Sequence, residues 1–322
     1  MDFEPVTMPK IDLHCHLDGS LSRSFIMHTL SLSNLDQAEL TAPENCTSLA
    51  EYLTRFHLPV SCLQTKEHIR DAVVDVVKQA AAENVRYMEI RFAPALSVND
   101  SLTLPDVIQA AIYGCQKAFD RYGVFTNLIL CAMRHHSLEQ NLQVLKYTKE
   151  FLGTGVCALD LAGDEAGFPN EEFKELFQEA NRLCVPFTIH SGECGRAKNV
   201  ALALAYGARR VGHGIACCND AELLSACKKA RLGFELCPTS NFQTKAVTKK
   251  EVYPLRAFLD YGILATVNTD NRTVSHTTCT NEYQFALSGL GIKKEDLRTL
   301  YRNSVEISFA DDSVKNQLFY LC

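Results

Sequence analysis

Short apolar segments alternate along the chain with longer stretches in which apolar residues recur every three or four positions. The short runs are typical of buried strands, and the longer periodicity is typical of amphipathic helices. This pattern predicts eight strands, at Lys10–His14, Val85–Phe92, Phe125–Ala132, Val156–Leu161, Pro186–His190, Arg210–Gly212, Leu232–Leu236 and Leu264–Asn268.

Helices are predicted between the strands, at Lys66–Glu83, Pro105–Tyr122, Leu138–Phe151, Glu171–Leu183, Ala197–Tyr206, Ala221–Lys229 and Glu282–Leu290. Because the chain has no glycine-rich dinucleotide fingerprint and no linker, this alternation favours an α/β fold of the (β/α)8 TIM barrel type over a doubly wound sheet. We therefore expect one domain over residues 1–322. The segment Leu21–Gln64 exceeds one crossover helix and is expected to add helices over the barrel mouth, with a helical C-terminal tail from Lys293 outside the barrel.

Composition narrows the class of partner. The net charge of -6 and the pI near 5.9 disfavour nucleic acid, which usually requires a concentrated basic surface, so a small-molecule partner is expected. No apolar stretch has the length of a membrane span, and residues 1–10 lack a secretory signal, which predicts a cytoplasmic protein without a membrane partner. The sequence does not indicate an oligomeric state.

The 14 cysteines are scattered and include no CxxC pair. Many lie inside apolar segments, as Cys131, Cys157 and Cys237 do. Buried reduced thiols are therefore favoured over a disulfide framework, and no cysteine is predicted to act as a nucleophile.

Polar motifs follow five of the eight predicted strands. In a TIM barrel the carboxyl ends of the strands surround one pocket, so these distant positions are predicted to be neighbours. The motifs are His14-Cys15-His16-Leu17-Asp18-Gly19-Ser20, Asp160-Leu161-Ala162-Gly163-Asp164-Glu165, His190-Ser191-Gly192-Glu193, Gly212-His213-Gly214 and Asn268-Thr269-Asp270-Asn271.

The histidines of these motifs indicate a metal site. His14 and His16 are two apart and face the same side of an extended strand, although this spacing alone is weak evidence. His190 and Asp270 lie at equivalent strand ends, and three imidazoles with one carboxylate suit Zn²⁺ or another divalent ion with a position left for water. Such an ion lowers the pKa of its water to about 7.

Two further residues have candidate catalytic roles. His213 is placed to orient the water or accept its proton, with a fifth metal ligand or a satisfied core histidine as the alternatives. Glu193 follows the Ser191-Gly192 turn, and a desolvated, protonated carboxyl there could donate to a substrate nitrogen. The alternative for Glu193 is a surface glutamate that caps the following helix.

In this order the five motifs resemble those of the adenosine deaminases, and the similarity runs from about Pro9 to the C-terminal helices. The resemblance implies zinc-dependent hydrolysis of adenosine, and of 2′-deoxyadenosine, to inosine and ammonia in purine salvage. It further implies that zinc is held by three histidines and an aspartate, that an acid protonates purine N1, and that the backbone N–H of Gly163 meets N3. The implied roles are zinc ligation by His14, His16, His190 and Asp270, catalysis by Glu193, His213 and Asp270, and substrate contacts from His16, Asp18, Gly163 and Asn271.

Position 271 departs from the family pattern, in which a second Asp usually follows the metal-binding Asp and contacts N7. Asn271 donates hydrogen bonds at every pH, so we expect its amide to donate to N7. The alternatives are that Asn271 only caps a turn, and that the substrate is adenine, a nucleotide or another 6-aminopurine. Relatives that act on free adenine tend to have Glu where this chain has Asp18, and the shorter side chain leaves room for a ribose. A binding protein without catalysis is the alternative from a different class.

Overall fold

The computed structural model describes residues 3–43, 46–193 and 196–322. Within them the chain forms eight strands, and their bounds agree with the predicted ones to within two residues at each end. The strands are β1 (Lys10–His16), β2 (Val85–Phe92), β3 (Phe125–Met133), β4 (Val156–Ala162), β5 (Thr188–Ser191), β6 (Arg210–His213), β7 (Gly233–Leu236) and β8 (Leu264–Val267).

Helices connect the strands and extend beyond the last one. They are α1 (Arg23–Thr29), α2 (Gln37–Leu40), α3 (Leu49–Leu53), α4 (His57–Ser61), α5 (Lys66–Ala81), α6 (Leu104–Tyr122), α7 (Leu138–Glu150), α8 (Lys174–Arg182), α9 (Ala197–Tyr206), α10 (Ala221–Ala230), α11 (Pro238–Gln243), α12 (Leu255–Tyr261), α13 (Cys279–Gly289), α14 (Asp296–Ile307) and α15 (Asp312–Phe319). The helix predicted at Glu171–Leu183 begins instead as a 3-10 turn over Asn170–Phe173 and becomes α-helical at Lys174. Helices α11 and α12 were not predicted.

All strand pairs are parallel, in the orders β1-β2-β3-β4 and β5-β6-β7-β8. A bridge between Leu159 and Phe187 joins the two halves on one side, and a bridge between Cys15 and Asp270 joins them on the other. The second junction includes hydrogen bonds from the Asp270 N–H to the His14 carbonyl and from the His16 N–H to the Asp270 carbonyl, both 2.7 Å. The barrel is therefore closed by backbone bonds between residues of the predicted metal site.

The local sequence explains where the long helices begin and end. The Thr103 side chain accepts from the Asp106 N–H while the Asp106 side chain reaches back, a capping box that starts α6. Gly123, at a φ of 67°, ends the same helix in a left-handed conformation that glycine adopts without strain. Thr65 caps the start of α5 by accepting from the His68 N–H, and α5 and α6 pack on each other outside the barrel.

Charged side chains fill the lower part of the barrel interior. Arg210 forms ion pairs with Glu89 and with Glu235, whose Oε1 lies 2.6 Å from Arg210 Nε, and Arg91 donates to the other oxygen of Glu235 at 2.7 Å. All four side chains are fully buried, so each charge is compensated by at least one partner. This layer lies beneath the site and, as shown below, contacts its histidines.

The segment before α5 covers the barrel mouth, as predicted. Helices α2, α3 and α4 lie there, and residues 44–45 are outside the described part. Ala42 donates from its backbone to the Val274 carbonyl at 2.8 Å, and the Tyr52 hydroxyl lies 2.6 Å from Ser275 Oγ. These bonds connect the covering helices to the loop after β8.

At the other end of the chain, α14 packs against β8 and β1, where the Asn303 amide donates to the Ala265 carbonyl. One hydrophobic cluster runs from Phe3 to Leu318, and the single domain over residues 1–322 stays a prediction. None of the thirteen described cysteines forms a disulfide. Within the described residues, no helix combines the length and apolar character needed to cross a membrane.

Candidate metal and active site

Four predicted ligands converge at the carboxyl ends of β1, β5 and β8. His16 Nε2 lies 3.2 Å from His190 Nε2 and 3.5 Å from Asp270 Oδ1, and His14 Nε2 lies 3.4 Å from the same oxygen. Ligand atoms of a tetrahedral site with metal–nitrogen distances of 2.0–2.1 Å are separated by about 3.3–3.4 Å. The buried His14 Nε2 has no hydrogen-bond partner among the described residues. The donor set therefore fits a divalent cation.

The remaining ring nitrogens of two histidines are held by buried carboxylates. His14 Nδ1 donates to Glu235 Oε2 at 2.8 Å, and His190 Nδ1 donates to Asp160 Oδ1 at 3.2 Å. A proton on Nδ1 leaves Nε2 with its lone pair, which is the form that a metal requires. These carboxylates thus fix the ring orientation and the tautomer of both histidines.

Arg91 links the two carboxylates. Its Nη1 donates to Asp160 at 2.9 Å and its Nη2 donates to Glu235 at 2.7 Å. Burial alone would raise the pKa of Asp160, but the neighbouring His190 and Arg91 hold it below its usual range. Glu235 behaves in the same manner, since Arg91 and Arg210 outweigh the effect of burial and keep its pKa well below the usual range. Both carboxylates are therefore ionised acceptors.

Asp270 and His213 have left-handed backbone conformations, with φ values of 60° and 64°. Residues other than glycine rarely adopt this region, and such residues cluster where function requires a particular side-chain direction. Burial would raise the pKa of Asp270, but its interaction with the neighbouring His14, followed by His16 and His213, lowers it below the usual range. Asp270 is therefore an ionised ligand candidate.

His213 lies beside the four ligand candidates but has a different partner. Its Nδ1 accepts a hydrogen bond from the Asn241 amide at 3.0 Å, and the Tyr253 hydroxyl donates to Asn241 Oδ1 at 3.0 Å. Burial, together with the neighbouring His14, holds the pKa of His213 well below its usual range. A neutral His213 that accepts at Nδ1 carries its proton on Nε2, the atom 3.6 Å from Glu193 Oε2.

Glu193 follows β5 after a turn at Gly192. The φ of Gly192 is 74°, and a Cβ there would lie 2.6 Å from Val200, so only glycine fits. The Glu193 side chain is buried at 6% exposure, and burial followed by the charges of Asp270 and Glu165 raises its pKa to about 8. The carboxyl is consequently protonated near neutral pH, as an acid must be, and the alternative of a surface glutamate is wrong.

These groups open into a cavity of about 410 Å³ between the strand ends and the covering helices. The covering segment contributes mainly apolar side chains, including Phe56, which also packs on Tyr52. Gly163, at a φ of 108°, and Asp18 also line this cavity. Burial raises the pKa of Asp18 to about 6. No Lys or Arg lines the cavity in the part of the chain that the structure describes.

Asn271 lines the same cavity and is 3% exposed. It packs directly on Gly19, where a Cβ would lie 1.8 Å from Asn271 Oδ1. Residue 19 must therefore be glycine for the amide to keep this position, and the two residues come from motifs 252 positions apart in the chain.

All nine predicted site residues thus border one cavity or its metal site. The sequence analysis gave no role to Glu235, Arg91, Asn241 and Glu165. For Glu235 and Arg91 an indication existed, because a charged residue inside a strand predicted to be buried requires a buried partner. For Asn241 there was none, since it lies on the unpredicted helix α11.

Comparison with known families agrees with the geometry of the site. The family model described as adenosine deaminase matches residues 9–321. The chain is 39% identical over 319 residues to an adenosine deaminase from Enterococcus faecalis, with 97% of this chain and 95% of that protein covered. It is also 39% identical over 327 residues to an adenosine deaminase from Vibrio atlanticus, with 99% and 98% covered.

Similar solved structures include relatives with other substrates. An adenine deaminase from Arthrobacter aurescens superposes with a TM-score of 0.88 at 25% identity, covering 98% of both chains. An N6-mAMP deaminase from Arabidopsis superposes with a TM-score of 0.87 at 27% identity, again with 98% of both covered. These likenesses confirm the predicted (β/α)8 barrel.

Proposed function

The chain belongs to the adenosine deaminase family, and we propose that it hydrolyses adenosine, and 2′-deoxyadenosine, to inosine and ammonia. The observation that carries this proposal is the pairing of a metal-ligand cluster with a buried, protonated Glu193 across one cavity. Hydrolytic loss of an amino group from a purine requires a nucleophilic water on one side and a proton donor at the ring nitrogen on the other.

The metal is proposed to be one Zn²⁺ held by His14, His16, His190 and Asp270. Three imidazoles and one carboxylate are a donor set that zinc accepts readily, and other divalent ions remain alternatives. When bound, the ion supplies the Lewis acidity that makes water nucleophilic near neutral pH.

Glu193 is proposed as the acid that protonates purine N1. Protonation of N1 withdraws electron density from C6 and makes that carbon electrophilic. The raised pKa of about 8 supports this role, because at pH 7 the carboxyl still holds the proton that it would donate to N1.

His213 is proposed to donate from Nε2 to the oxygen that adds to C6. Asn241 occupies Nδ1 with a donor, so the neutral ring has no lone pair on Nε2 with which to accept a proton. Of the two roles predicted for His213, orientation and stabilisation of the attacking oxygen is therefore better supported than proton acceptance.

The substrate contacts are also proposals. His16 and Asp18 are assigned to the ribose, the Gly163 N–H to N3, and the Asn271 amide to N7. The positive φ of Gly163 supports its role, since it exposes the backbone to the cavity without a side chain in between.

The cavity favours a nucleoside over a nucleotide. A 5′-phosphate normally binds cationic side chains, and none of the described lining residues is Lys or Arg. The adenine and N6-mAMP deaminases with the same fold make these two substrate classes the alternatives to test. Binding without catalysis is disfavoured, because the acid and every ligand candidate are present.

The test follows the loss of ultraviolet absorbance as adenosine becomes inosine, beside 2′-deoxyadenosine, adenine and AMP, with zinc content measured on the same samples. We expect turnover of the two nucleosides, loss of activity with a chelator and recovery with Zn²⁺. No ammonia from any of the four compounds at one zinc per chain would refute the enzymatic proposal, and preference for adenine or AMP would reassign the substrate.

A further inference from the structure

Glu165 is a buried carboxylate in the loop after β4, with 1% exposure. Toward the described part of the loop after β5 it accepts hydrogen bonds from two backbone N–H groups and one side-chain amide. Its Oε1 accepts from the Gly192 N–H at 2.6 Å and from the Asn199 amide at 2.7 Å, and its Oε2 accepts from the Glu193 N–H at 2.9 Å. The carboxylate therefore fixes the backbone of Gly192 and of Glu193, the proposed acid.

In its described part, the turn that carries Glu193 is held by backbone bonds on two sides. Strand β5 ends at Ser191, and beyond it the Gly192 carbonyl accepts from the Ala216 N–H at 3.0 Å on the side of β6. On the opposite side the N–H groups of Gly192 and Glu193 point at Glu165. Buried N–H groups without an acceptor are costly, so the carboxylate determines the path of the turn.

We infer that Glu165 is the positioning residue of the acid: it holds the Gly192–Glu193 backbone so that the Glu193 carboxyl faces the purine, and its negative charge keeps the proton on that carboxyl. This inference rests on the proposed function, because it assumes that Glu193 protonates the substrate.

The electrostatic part follows from the groups that surround Glu193. Asp270 and Glu165 contribute negative charge, His14 and the nearby Thr244 side chain act in the opposite direction, and His213 lies 3.6 Å away. Burial is the largest cause of the raised pKa of about 8, and Glu165 adds to it together with Asp270. Removing the charge of Glu165 lowers the pKa of Glu193, because a like charge disfavours ionisation.

Two variants of Glu165 separate the effect of side-chain length from the effect of charge. In Glu165→Gln the amide oxygen can still accept from Gly192 and Asn199, but the NH2 group then faces the Glu193 N–H as a second donor. In Glu165→Asp the charge stays and the side chain is one methylene shorter. Glu172→Gln, an exposed change in the same β4–β5 connection, is the matched control.

The experiment measures kcat, KM and the pH dependence of kcat/KM for adenosine, with zinc content and thermal denaturation as checks on folding. We expect kcat to fall on the order of 10²-fold in Glu165→Gln, since a small displacement of a catalytic group has an effect of this size, while KM changes little. The alkaline limb of kcat/KM should move to lower pH by about half a pH unit or more in Glu165→Gln. In Glu165→Asp kcat should fall without a change in the limb.

The outcomes are distinguishable. An inactive unaltered chain refutes the proposed function and this inference with it. An active unaltered chain with a Glu165→Gln variant like the control overturns only the inference, and so does a kcat loss without a shifted limb, because a merely structural role produces that. If Glu165→Gln is not recovered folded, Glu165→Asp decides by the split between kcat and KM, because its retained charge leaves the limb in place. Reduced kcat at unchanged KM and zinc content supports the inference, and an unchanged kcat, or a loss that extends to KM or zinc content, overturns it.

Discussion

Replacement of the proposed acid, Glu193→Gln, tests the chemistry most directly. Glutamine keeps the shape of the side chain and can still donate a hydrogen bond to N1, but it cannot transfer a proton. At pH 7 a carboxyl with a pKa of about 8 is protonated in about nine molecules of ten. With the ordinary glutamate value of 4.5 it would be protonated in about one of 300. Burial at this position therefore supplies nearly all of the acid form.

The expected loss in kcat is about 10²- to 10⁴-fold, the usual contribution of a general acid, or about 3–5 kcal/mol in activation free energy. KM should change little, because the amide still fills the same space. The unaltered chain should lose kcat/KM as the pH rises above about 8, since Glu193 then gives up the proton that it must donate. In Glu193→Gln this alkaline limb should disappear.

The assay is the absorbance change with adenosine over a pH series, with zinc content and melting temperature measured on the same preparation. Glu172→Gln serves as the control for an exposed glutamate. A Glu193→Gln variant that binds one zinc per chain and keeps full kcat would show that Glu193 is not the acid, and an unshifted alkaline limb in that variant would show that another group titrates there.

Three further changes address the groups around the acid. Asp160→Asn should weaken zinc binding about 10- to 100-fold through His190, measured by competition with a chelator, and unchanged affinity would contradict the role of Asp160. Asn241→Leu should lower kcat up to about 10-fold with zinc retained, since His213 loses the hydrogen bond that fixes its tautomer; an unchanged kcat would remove that role. 7-Deazaadenosine should show about 10- to 100-fold lower kcat/KM than adenosine because Asn271 is left without an acceptor, whereas equal turnover would exclude the N7 contact.

The strands were predictable because the periodicity of apolar residues follows burial directly. The helix ends were less predictable: the segment predicted at Glu171–Leu183 starts as a 3-10 turn at Asn170, whose buried amide is held by hydrogen bonds to Ser191 and Asn199. Helices α11 and α12 are six and seven residues long, too short for an amphipathic pattern to stand out. Each of these misses concerns length or boundary, and none changes the topology.

The ligand candidates were predictable from one rule, that parallel strands of a barrel end at one face. Their partners were not, because a pair such as His14 and Glu235 is 221 positions apart and depends on which residues of β7 point inward. The same holds for Asn241 and His213, whose contact requires the turn into α11. The sequence identifies residues that carry chemistry, whereas the protonation state of each follows only from three-dimensional neighbours.

The carboxyls nearest the reaction differ in protonation state, which explains why an amide at position 271 suits the same chemistry. Glu193 stays protonated because burial and the charges of Asp270 and Glu165 raise its pKa to about 8, while interactions with His14 keep Asp270 ionised. A carboxyl at position 271 would have to hold a proton to donate to N7, which would add a further titrating acid to Glu193 and Asp18 in the cavity. The Asn271 amide carries donor hydrogens at every pH. The proposed N7 contact would then be independent of pH, and Glu193, as the proposed acid, would determine the alkaline limit of the reaction.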